Sequence, residues 1–536
     1  MFPRSRLMGL LAAVLILPGG CERQPTQLPG TGLTLPQAQR RVLGLAADQW
    51  ESATREAAHS ASADPPARRN VVIITLDSLR ADHLHCMGYE RETSPTMDRL
   101  AAEGVLFAGA VSTTSWTLPS HAALFTALPN SVHGCDHYTR MLGPERLTLA
   151  EHMAAQGYQT AGFYSGPFLH PIFGVAQGFE SYTNCGSESS YSDFDIGSKR
   201  DPMHLHLPSK DGIVAAHQVA HADITSPRIV ERVKEWLDHR DASRPFLMFV
   251  HMWDPHYEYI PPPPYDTRFG ETYDGGADFT EFWRMPTPAR KYSAKDVQHL
   301  RDLYDGEIAW TDAHIRMILD ALATHAALDD TIIVVTADHG EQFLEHGHLG
   351  HHYSLFDEET RVPMIVWGPG VVPVASPGAQ VTLMDVAPTV LDLLGLPPMP
   401  NVFGRSLRWL WEDGSKGVDD ERATVLVLHA GKLDANGKPE WTTWAVRTSR
   451  WKRILTVPKG LNALFDLRSD PGEKRNVPTS DRKLAAEADG VFAAMMRTLE
   501  ALRMAHPGGA NSGGDLPPEL INQLRANGYI GGSEDK

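Results

Sequence analysis

Three uninterrupted runs of apolar and β-branched residues constrain the fold of this chain more than any other feature. They are residues 71–76 (VVIITL), 245–250 (PFLMFV) and 331–336 (TIIVVT). Such runs are typical of strands that are covered on both faces of a parallel sheet. In open α/β sheets ligands bind beyond the carboxyl ends of the strands, so the residues after each run are candidates for a functional site.

Side chains that can bind metals or carry protons follow all three runs. They are Asp77, His251, Asp254, His256, Asp338 and His339. A single histidine or aspartate after a strand is often structural. Several such groups at one edge of one sheet favour a site instead.

A threonine precedes a predicted helix in the segment 117–128, which reads TLPSHAALFTAL. Pro119 fits the first turn of a helix, so Thr117 lies near the N-cap. Free backbone N–H groups and the positive end of the helix dipole favour an anion there. The Thr117 hydroxyl would then face a phosphate or sulfate group, the alternative being that it only caps the helix.

Four residues predict one divalent metal site: Asp77, Thr117, Asp338 and His339. They come from two strand ends and the start of a helix. Two carboxylates and an imidazole suit zinc or manganese better than calcium, which prefers six to eight oxygen ligands. The cation would lower the pKa of the threonine hydroxyl and neutralise charge on a substrate oxygen.

Three histidines are assigned to the reaction itself. His256 or His351 would protonate the leaving alcohol, and His121 would either orient Thr117 or contact the substrate. A second metal could be held by Asp254, His256 and His351.

The acidic balance of the chain excludes one class of partner. Its net charge is −17, which argues against a nucleic-acid or anionic-membrane surface. An anionic substrate would therefore be attracted locally, by a metal ion and by helix ends.

The first residues predict export. Residues 1–21 combine Arg4 and Arg6 with an apolar run and small residues before Cys21, as in a lipoprotein-type signal peptide. Cys21 could become lipidated, which would give a periplasmic protein or a membrane-anchored lipoprotein. Cys86, Cys135 and Cys185 remain, and at most one disulfide could form among them.

The rest of the chain divides by composition. The predicted units are a tether at 22–69, a catalytic domain at 70–407, a C-terminal subdomain at 408–510 and a tail at 511–536. The fold class is α/β.

Separate blocks between Asn70 and Val477 resemble the sulfatase family, within the alkaline phosphatase superfamily. They include the frame Thr117-x-Pro119-Ser120-His121, the blocks DHGE at 338–341 and RVPMI at 361–365, and LFDLRSDP at 464–471. The resemblance implies a metal-dependent ester hydrolase. It also implies a mostly parallel sheet flanked by helices, with a small C-terminal α+β subdomain.

The chain departs from that family at informative positions. Sulfatases convert a cysteine or serine at the position of Thr117 to formylglycine, and threonine cannot give that aldehyde. Ser78 stands where many sulfatases have a second aspartate, and residues 164–167 (YSGP) lack the family's lysine and histidine. The frame is more similar to the nucleotide pyrophosphatase/phosphodiesterase branch, in which threonine attacks phosphorus.

Three functions remain open from the sequence. The first is a hydrolase of phosphate mono- or diesters, with sulfate esters as the alternative, acting on a small-molecule, glycan or lipid ester. The second is an envelope phosphotransferase. The third is a binding protein without catalytic activity, which the joint presence of Asp77, Thr117, Asp338 and His339 disfavours.

Overall fold

The computed structural model describes residues 69–135, 140–186, 224–270, 273–275, 292–374, 379–412, 422–433, 439–477 and 481–506. The predicted signal peptide with Cys21, the tether up to residue 68 and the tail at 511–536 lie outside these residues. Export and lipidation therefore stay predictions.

The strands of the described chain are β1 Asn70–Leu76, β2 Val105–Leu106, β3 Ala110–Val111, β4 Gln159–Tyr164, β5 Ser181–Asn184, β6 Phe246–Met252, β7 Thr331–Ala337, β8 Gln342–Phe343, β9 Leu349–Gly350, β10 Met364–Trp367, β11 Val381–Thr382, β12 Thr424–Leu433, β13 Pro439–Arg447, β14 Trp451–Val457 and β15 Asn462–Asp466. Seven of them form the central sheet, in the order β2-β10-β7-β1-β6-β4-β5. The three predicted strands are confirmed as β1, β6 and β7, and every residue in them is buried.

The register of the central strands brings their carboxyl ends to one edge. β1 pairs in parallel with β6 and β7, so that Thr75 lies beside His251 on one side and Thr336 on the other. β4 and β5 continue the parallel part, whereas β10 runs antiparallel to β7 and β2. Asp77 and Asp338 therefore leave neighbouring strands at the same edge.

Helices cover the sheet and position that edge. They are α1 Pro95–Glu103, α2 Thr117–Thr126, α3 Asn130–His133, α4 Leu149–Ala155, α5 Ser226–His239, α6 Ala294–Thr324, α7 Asp357–Thr360, α8 Val386–Leu393, α9 Trp409–Glu412 and α10 Arg482–Ala505. All residues of α2 are buried, so its apolar sequence serves as core on every side.

A second, antiparallel sheet follows in the C-terminal region. Its strand order is β12-β13-β14-β15. Trp451 of β14 and Leu499 of α10 share an apolar cluster with Ala123 of α2. The architecture confirms the predicted α/β fold, with a mostly parallel main sheet and a small C-terminal α+β unit.

Two further observations bear on the sequence predictions. Cys86, Cys135 and Cys185 are all free thiols, so the one disulfide that the sequence allowed is not formed among them. Within the described ranges, the helices are each too short or too polar to cross a membrane.

Candidate active site

Residues that follow β1 and β7 meet the start of α2 at the carboxyl edge of the central sheet. Asp77 follows β1, and Asp338 and His339 follow β7. One ligand atom from each lies within 4.8 Å of the others, and all three residues are buried. The structure thus brings together the three charged or nitrogen-bearing members of the predicted metal site.

Thr117 completes this cluster from the start of α2. Its Oγ1 lies 3.5 Å from Oδ2 of Asp77 and 3.3 Å from Nε2 of His339. Trp116, not Thr117, is the N-cap, and the helix begins at Thr117 itself. The threonine hydroxyl is therefore directed at the cluster and does not serve as the helix cap.

The carboxylates of Asp77 and Asp338 share one buried site. Oδ1 of Asp338 accepts hydrogen bonds from the backbone N–H groups of Ser78 (3.1 Å) and His339 (2.8 Å). Its Oδ2 is buried without a hydrogen-bond partner. Burial and the neighbouring Asp77 raise the pKa of Asp338 well above its usual value, as expected when two carboxylates share one desolvated site.

The spacing of the donor atoms fits a small cation. Ligands about 2.0–2.2 Å from a tetrahedral ion lie about 3.4 Å from one another. Nε2 of His339 is 3.3 Å from the Thr117 hydroxyl, 3.5 Å from Oδ2 of Asp338 and 3.7 Å from Oδ1 of Asp77. A divalent ion would also satisfy the unpartnered Asp338 oxygen and offset the paired negative charges.

His339 is held in the form that binds a metal. Its Nδ1 lies 2.9 Å from the carbonyl oxygen of Gly340 and donates to it, which leaves Nε2 without a proton. Burial, followed by the neighbouring His351, lowers the pKa of His339 to about 3. The ring is therefore a neutral ligand at physiological pH.

His351 lies beside this cluster and is paired with a buried acid that the sequence analysis missed. Its ring centroid is 4.3 Å from that of His339. Its Nδ1 lies 3.1 Å from Oε1 of Glu341, whose other oxygen accepts a hydrogen bond from Tyr259. Burial raises the pKa of Glu341 well above its usual value and lowers that of His351 to about 4, so burial favours the neutral form of both groups.

His256 lies against the ring of His351. Its ring stacks on Trp253 at 3.8 Å and meets the ring of His351 at 5.0 Å. Its Nδ1 is directed at the carbonyl oxygen of Tyr257. His256 is thus a direct neighbour of His351.

The structure does not bring the predicted second metal site of Asp254, His256 and His351 together as a close group of ligands, and the oxygens of Asp254 have other partners. Its two oxygens accept hydrogen bonds from the backbone N–H groups of Thr225 and Ser226 and from the indole of Trp310. These contacts cap the start of α5. Across the described ranges, only the Asp77, Asp338 and His339 group has three such ligands close together.

His121 and His251 lie beneath the cluster, fully buried. Nδ1 of His121 is 2.8 Å from the carbonyl oxygen of Thr117, a contact that favours the orienting role over contact with a substrate. His251 was noted in the sequence but given no role. Its Nε2 is 3.3 Å from Oδ2 of Asp77, and its position at the carboxyl end of β6 was the only signal.

Two sequence profiles of known families together match residues 69–504 of this chain. A sequence profile described as Sulfatase matches residues 69–396, and one described as N-sulphoglucosamine sulphohydrolase, C-terminal, matches residues 344–504. The first match covers more than half of the chain.

Individual relatives carry several related activities in their names. Arylsulfatase K of Mus musculus is 24% identical over 452 residues, which cover 78% of each chain. N-acetylglucosamine-6-O-sulfatase of Bacteroides thetaiotaomicron is 22% identical over 481 residues, 76% of this chain and 82% of that protein. The crystal structure of phosphonate monoester hydrolase from Agrobacterium radiobacter superposes with a TM-score of 0.60 at 22% identity, covering 81% of this chain and 96% of the other.

Proposed function

This chain belongs to the sulfatase family, within the alkaline phosphatase superfamily, and is a hydrolase of ester bonds; we propose that it cleaves phosphate mono- or diesters with Thr117 as the nucleophile. The observation that carries this proposal is the position of the Thr117 hydroxyl, 3.3 Å from His339 and 3.5 Å from Asp77. A serine or cysteine there would permit the formylglycine chemistry of sulfatases. Threonine leaves direct attack by its own oxygen.

The proposed cofactor is one divalent ion, with zinc or manganese favoured over calcium. Asp77, Asp338, His339 and the Thr117 oxygen would hold it. When bound, it would lower the pKa of the hydroxyl and offset negative charge on the ester. A neutral imidazole among only four ligands suits zinc or manganese.

Thr117, the start of α2 and His351 each have a separate role in the proposed reaction. Oγ1 of Thr117 gives its proton to Oδ2 of Asp77, 3.5 Å away, and forms a bond to phosphorus while the bond from phosphorus to the leaving oxygen breaks. The amino end of α2 presents backbone N–H groups to the phosphoryl oxygens. His351, positioned by Glu341 at 3.1 Å, donates a proton to the leaving oxygen. Water then attacks phosphorus, passes one proton to His351 and releases Thr117, which recovers its proton from Asp77.

His351 is preferred over His256 as the proton donor. The His351 ring is 4.3 Å from that of the proposed ligand His339, whereas the His256 ring is 5.0 Å from that of His351. His256 would support the orientation of His351 by this edge contact.

Sulfate esters are the alternative substrate, because the family profile and the named relatives are sulfatases. The test is a set of parallel assays with zinc- or manganese-loaded protein on 4-nitrophenyl sulfate, 4-nitrophenyl phosphate and bis(4-nitrophenyl) phosphate. We expect a phosphate ester to give the highest kcat/KM, and Thr117→Ala to abolish it. Preference for the sulfate would overturn the phosphate assignment, and full activity of Thr117→Ala would overturn the nucleophile.

We further propose that the protein is exported and anchored through a lipid on Cys21, with residues 22–69 as a tether. Its substrate would then be a small-molecule, glycan or lipid ester outside the cytoplasm. Labelled fatty acid should enter the wild-type chain and not Cys21→Ala. Equal labelling of both would refute the anchor.

A further inference from the structure

We propose that a cavity between the main α/β unit and the C-terminal sheet binds a small oxyanion through Arg361. The cavity has a volume of about 530 Å³. Its walls do not include Asp77, Thr117, Asp338 or His339, so it is separate from the candidate active site. The inference therefore does not rest on the proposed function.

Both units contribute to the walls of this cavity. The main unit supplies Asp82, Gly109 and Arg361, and the C-terminal unit supplies Ser449 and Gly472. Ser449 lies in the turn between β13 and β14, and Gly472 follows β15. A bound ligand would therefore touch both units.

Arg361 carries a charge that its protein neighbours leave unpaired. Its Nε donates to the carbonyl oxygen of Ala108 at 3.1 Å. Within the described part of the chain its two Nη groups make neither a hydrogen bond nor an ion pair, and the residue is half-buried. The planar fork of a guanidinium matches the paired oxygens of a carboxylate, phosphate or sulfate. The fork of Arg361 therefore predicts an oxyanion as the ligand.

Two carboxylates on the walls are engaged elsewhere. The oxygens of Asp82 accept hydrogen bonds from Nε and Nη2 of Arg80 at 2.9 Å and 2.8 Å. Oε2 of Glu358 lies 3.3 Å from Nε2 of His346. Asp82 attracts Arg361 only from beyond the distance of an ion pair. The guanidinium charge of Arg361 is therefore available to a ligand.

Arg447 and Ser449 add donors from the C-terminal unit. Arg447 is 7% exposed. Four of its N–H groups are used, two by Asp357 and one each by Gln380 and the carbonyl oxygen of Thr448. A guanidinium has five N–H groups, so one on Nη2 remains. The hydroxyl of Ser449 makes no hydrogen bond to other described residues, so both side chains can donate to an oxyanion.

The competing arrangement is a cavity that holds only water. The net charge of the chain is −17, which repels anions from the surface as a whole. An oxyanion would therefore stay in the cavity only through direct contacts with Arg361 and its neighbours. Loss of the Arg361 charge separates the two arrangements.

Equilibrium dialysis of the full chain against labelled inorganic phosphate at low ionic strength provides this test. We expect phosphate binding that persists after the metal is removed with a chelator. Arg361→Gln should weaken it about 10–100-fold, since hydrogen bonds between charged groups are lost. The control Arg316→Gln, from the exposed pair with Asp320, should bind as the wild type does. Undiminished binding by Arg361→Gln, or binding that disappears with the metal, would overturn the proposal.

A second variant fills the cavity and leaves Arg361 in place. A Cβ atom on Gly472 would have Cε and Cγ of Lys474 as its nearest neighbours, at 3.8 Å and 3.9 Å, so a side chain fits on this wall. Gly472→Leu should weaken phosphate binding without lowering the melting temperature. Wild-type phosphate affinity in the folded variant would contradict the location of the site.

Competition identifies the form of the oxyanion. Displacement of phosphate by sulfate supports a tetrahedral ligand, and displacement by malonate supports a carboxylate. Displacement by neither would contradict a site built on a guanidinium fork. A wild-type protein that cleaves no ester but binds phosphate at Arg361 would overturn the proposed function and leave this site.

Discussion

Oγ1 of Thr117 lies 3.3 Å from Nε2 of His339, although 222 positions of sequence separate the two residues. This contact exists because the start of α2 and the end of β7 meet at one edge of the central sheet. The donor atoms of the site come close together only when the whole sheet has formed. Occupation of the site by a metal should therefore be coupled to global folding.

Removal of the metal should cost both activity and stability. The buried, facing carboxylates of Asp77 and Asp338 repel each other without a cation. A chelator should abolish hydrolysis and lower the melting temperature, and zinc or manganese should restore both. At a free metal concentration 100 times Kd the expected stabilisation is about 2.7 kcal/mol, measurable by denaturant titration. An unchanged melting temperature after verified metal removal would contradict the site.

Loss of the proposed proton donor should depend on the leaving group. We expect His351→Gln to slow hydrolysis of alkyl phosphate esters by about 10²–10⁴-fold. Esters of 4-nitrophenol should be affected far less, because that leaving group departs without a proton. The measurement is kcat across a series of leaving groups. An equal loss for all of them would remove His351 from the role of acid.

Asp254 should stabilise the fold without binding metal. Its carboxylate accepts from the first turn of α5 and from Trp310, so Asp254→Ala should lower the free energy of unfolding by about 1–2 kcal/mol. Metal content per chain should stay that of the wild type. A fall in metal content in the folded variant would restore Asp254 as a ligand.

A buried ion cluster joins α7 to the C-terminal sheet. We expect it to make the stability of the protein sensitive to acid. Asp357 pairs with Arg447 at 2.7 Å and Lys452 at 2.6 Å, and these cations hold the pKa of Asp357 far below its usual value. A lowered pKa contributes stability that is present above the unfolded-state value of about 3.9 and is lost as the pH falls below it.

A variant without the Asp357 charge tests the direction of this pH dependence. Asp357→Asn should cost about 3–5 kcal/mol at pH 7, because it takes the carboxylate partner from the buried Arg447, while Lys452 keeps Glu473 at 3.0 Å. The difference from wild type should shrink when unfolding is measured near pH 3. Asp320→Asn, in the exposed pair with Arg316, should change stability by less than about 0.5 kcal/mol. A difference that is independent of pH would contradict the assignment.

Much of the catalytic edge could be predicted from local sequence. Asp77 and Asp338 end runs whose apolar character is needed on both faces of a parallel sheet, and that requirement is readable residue by residue. Thr117 was found because Pro119 marks the start of a helix. Helix α6 begins at Ala294, where Ser293 and Asp296 form a capping box that an apolar pattern alone does not reveal.

The failures concern groups whose roles depend on distant partners. Asp254 was assigned to a metal because it follows a strand, but its donors come from the start of α5, which the sequence does not place beside it. Glu341 and His251 were given no role, because burial and hydrogen-bond direction decide what they do. Neither property can be read from spacing.

The identity of the attacking atom is the claim on which the account depends most. Rapid quenching of the metal-loaded protein with a phosphodiester, followed by proteolysis and high-resolution mass spectrometry, should find a phosphoryl adduct on Thr117. Thr117→Ser should form the equivalent adduct, and Thr117→Ala should form none and show no turnover. Turnover by Thr117→Ala at the wild-type rate would contradict the account.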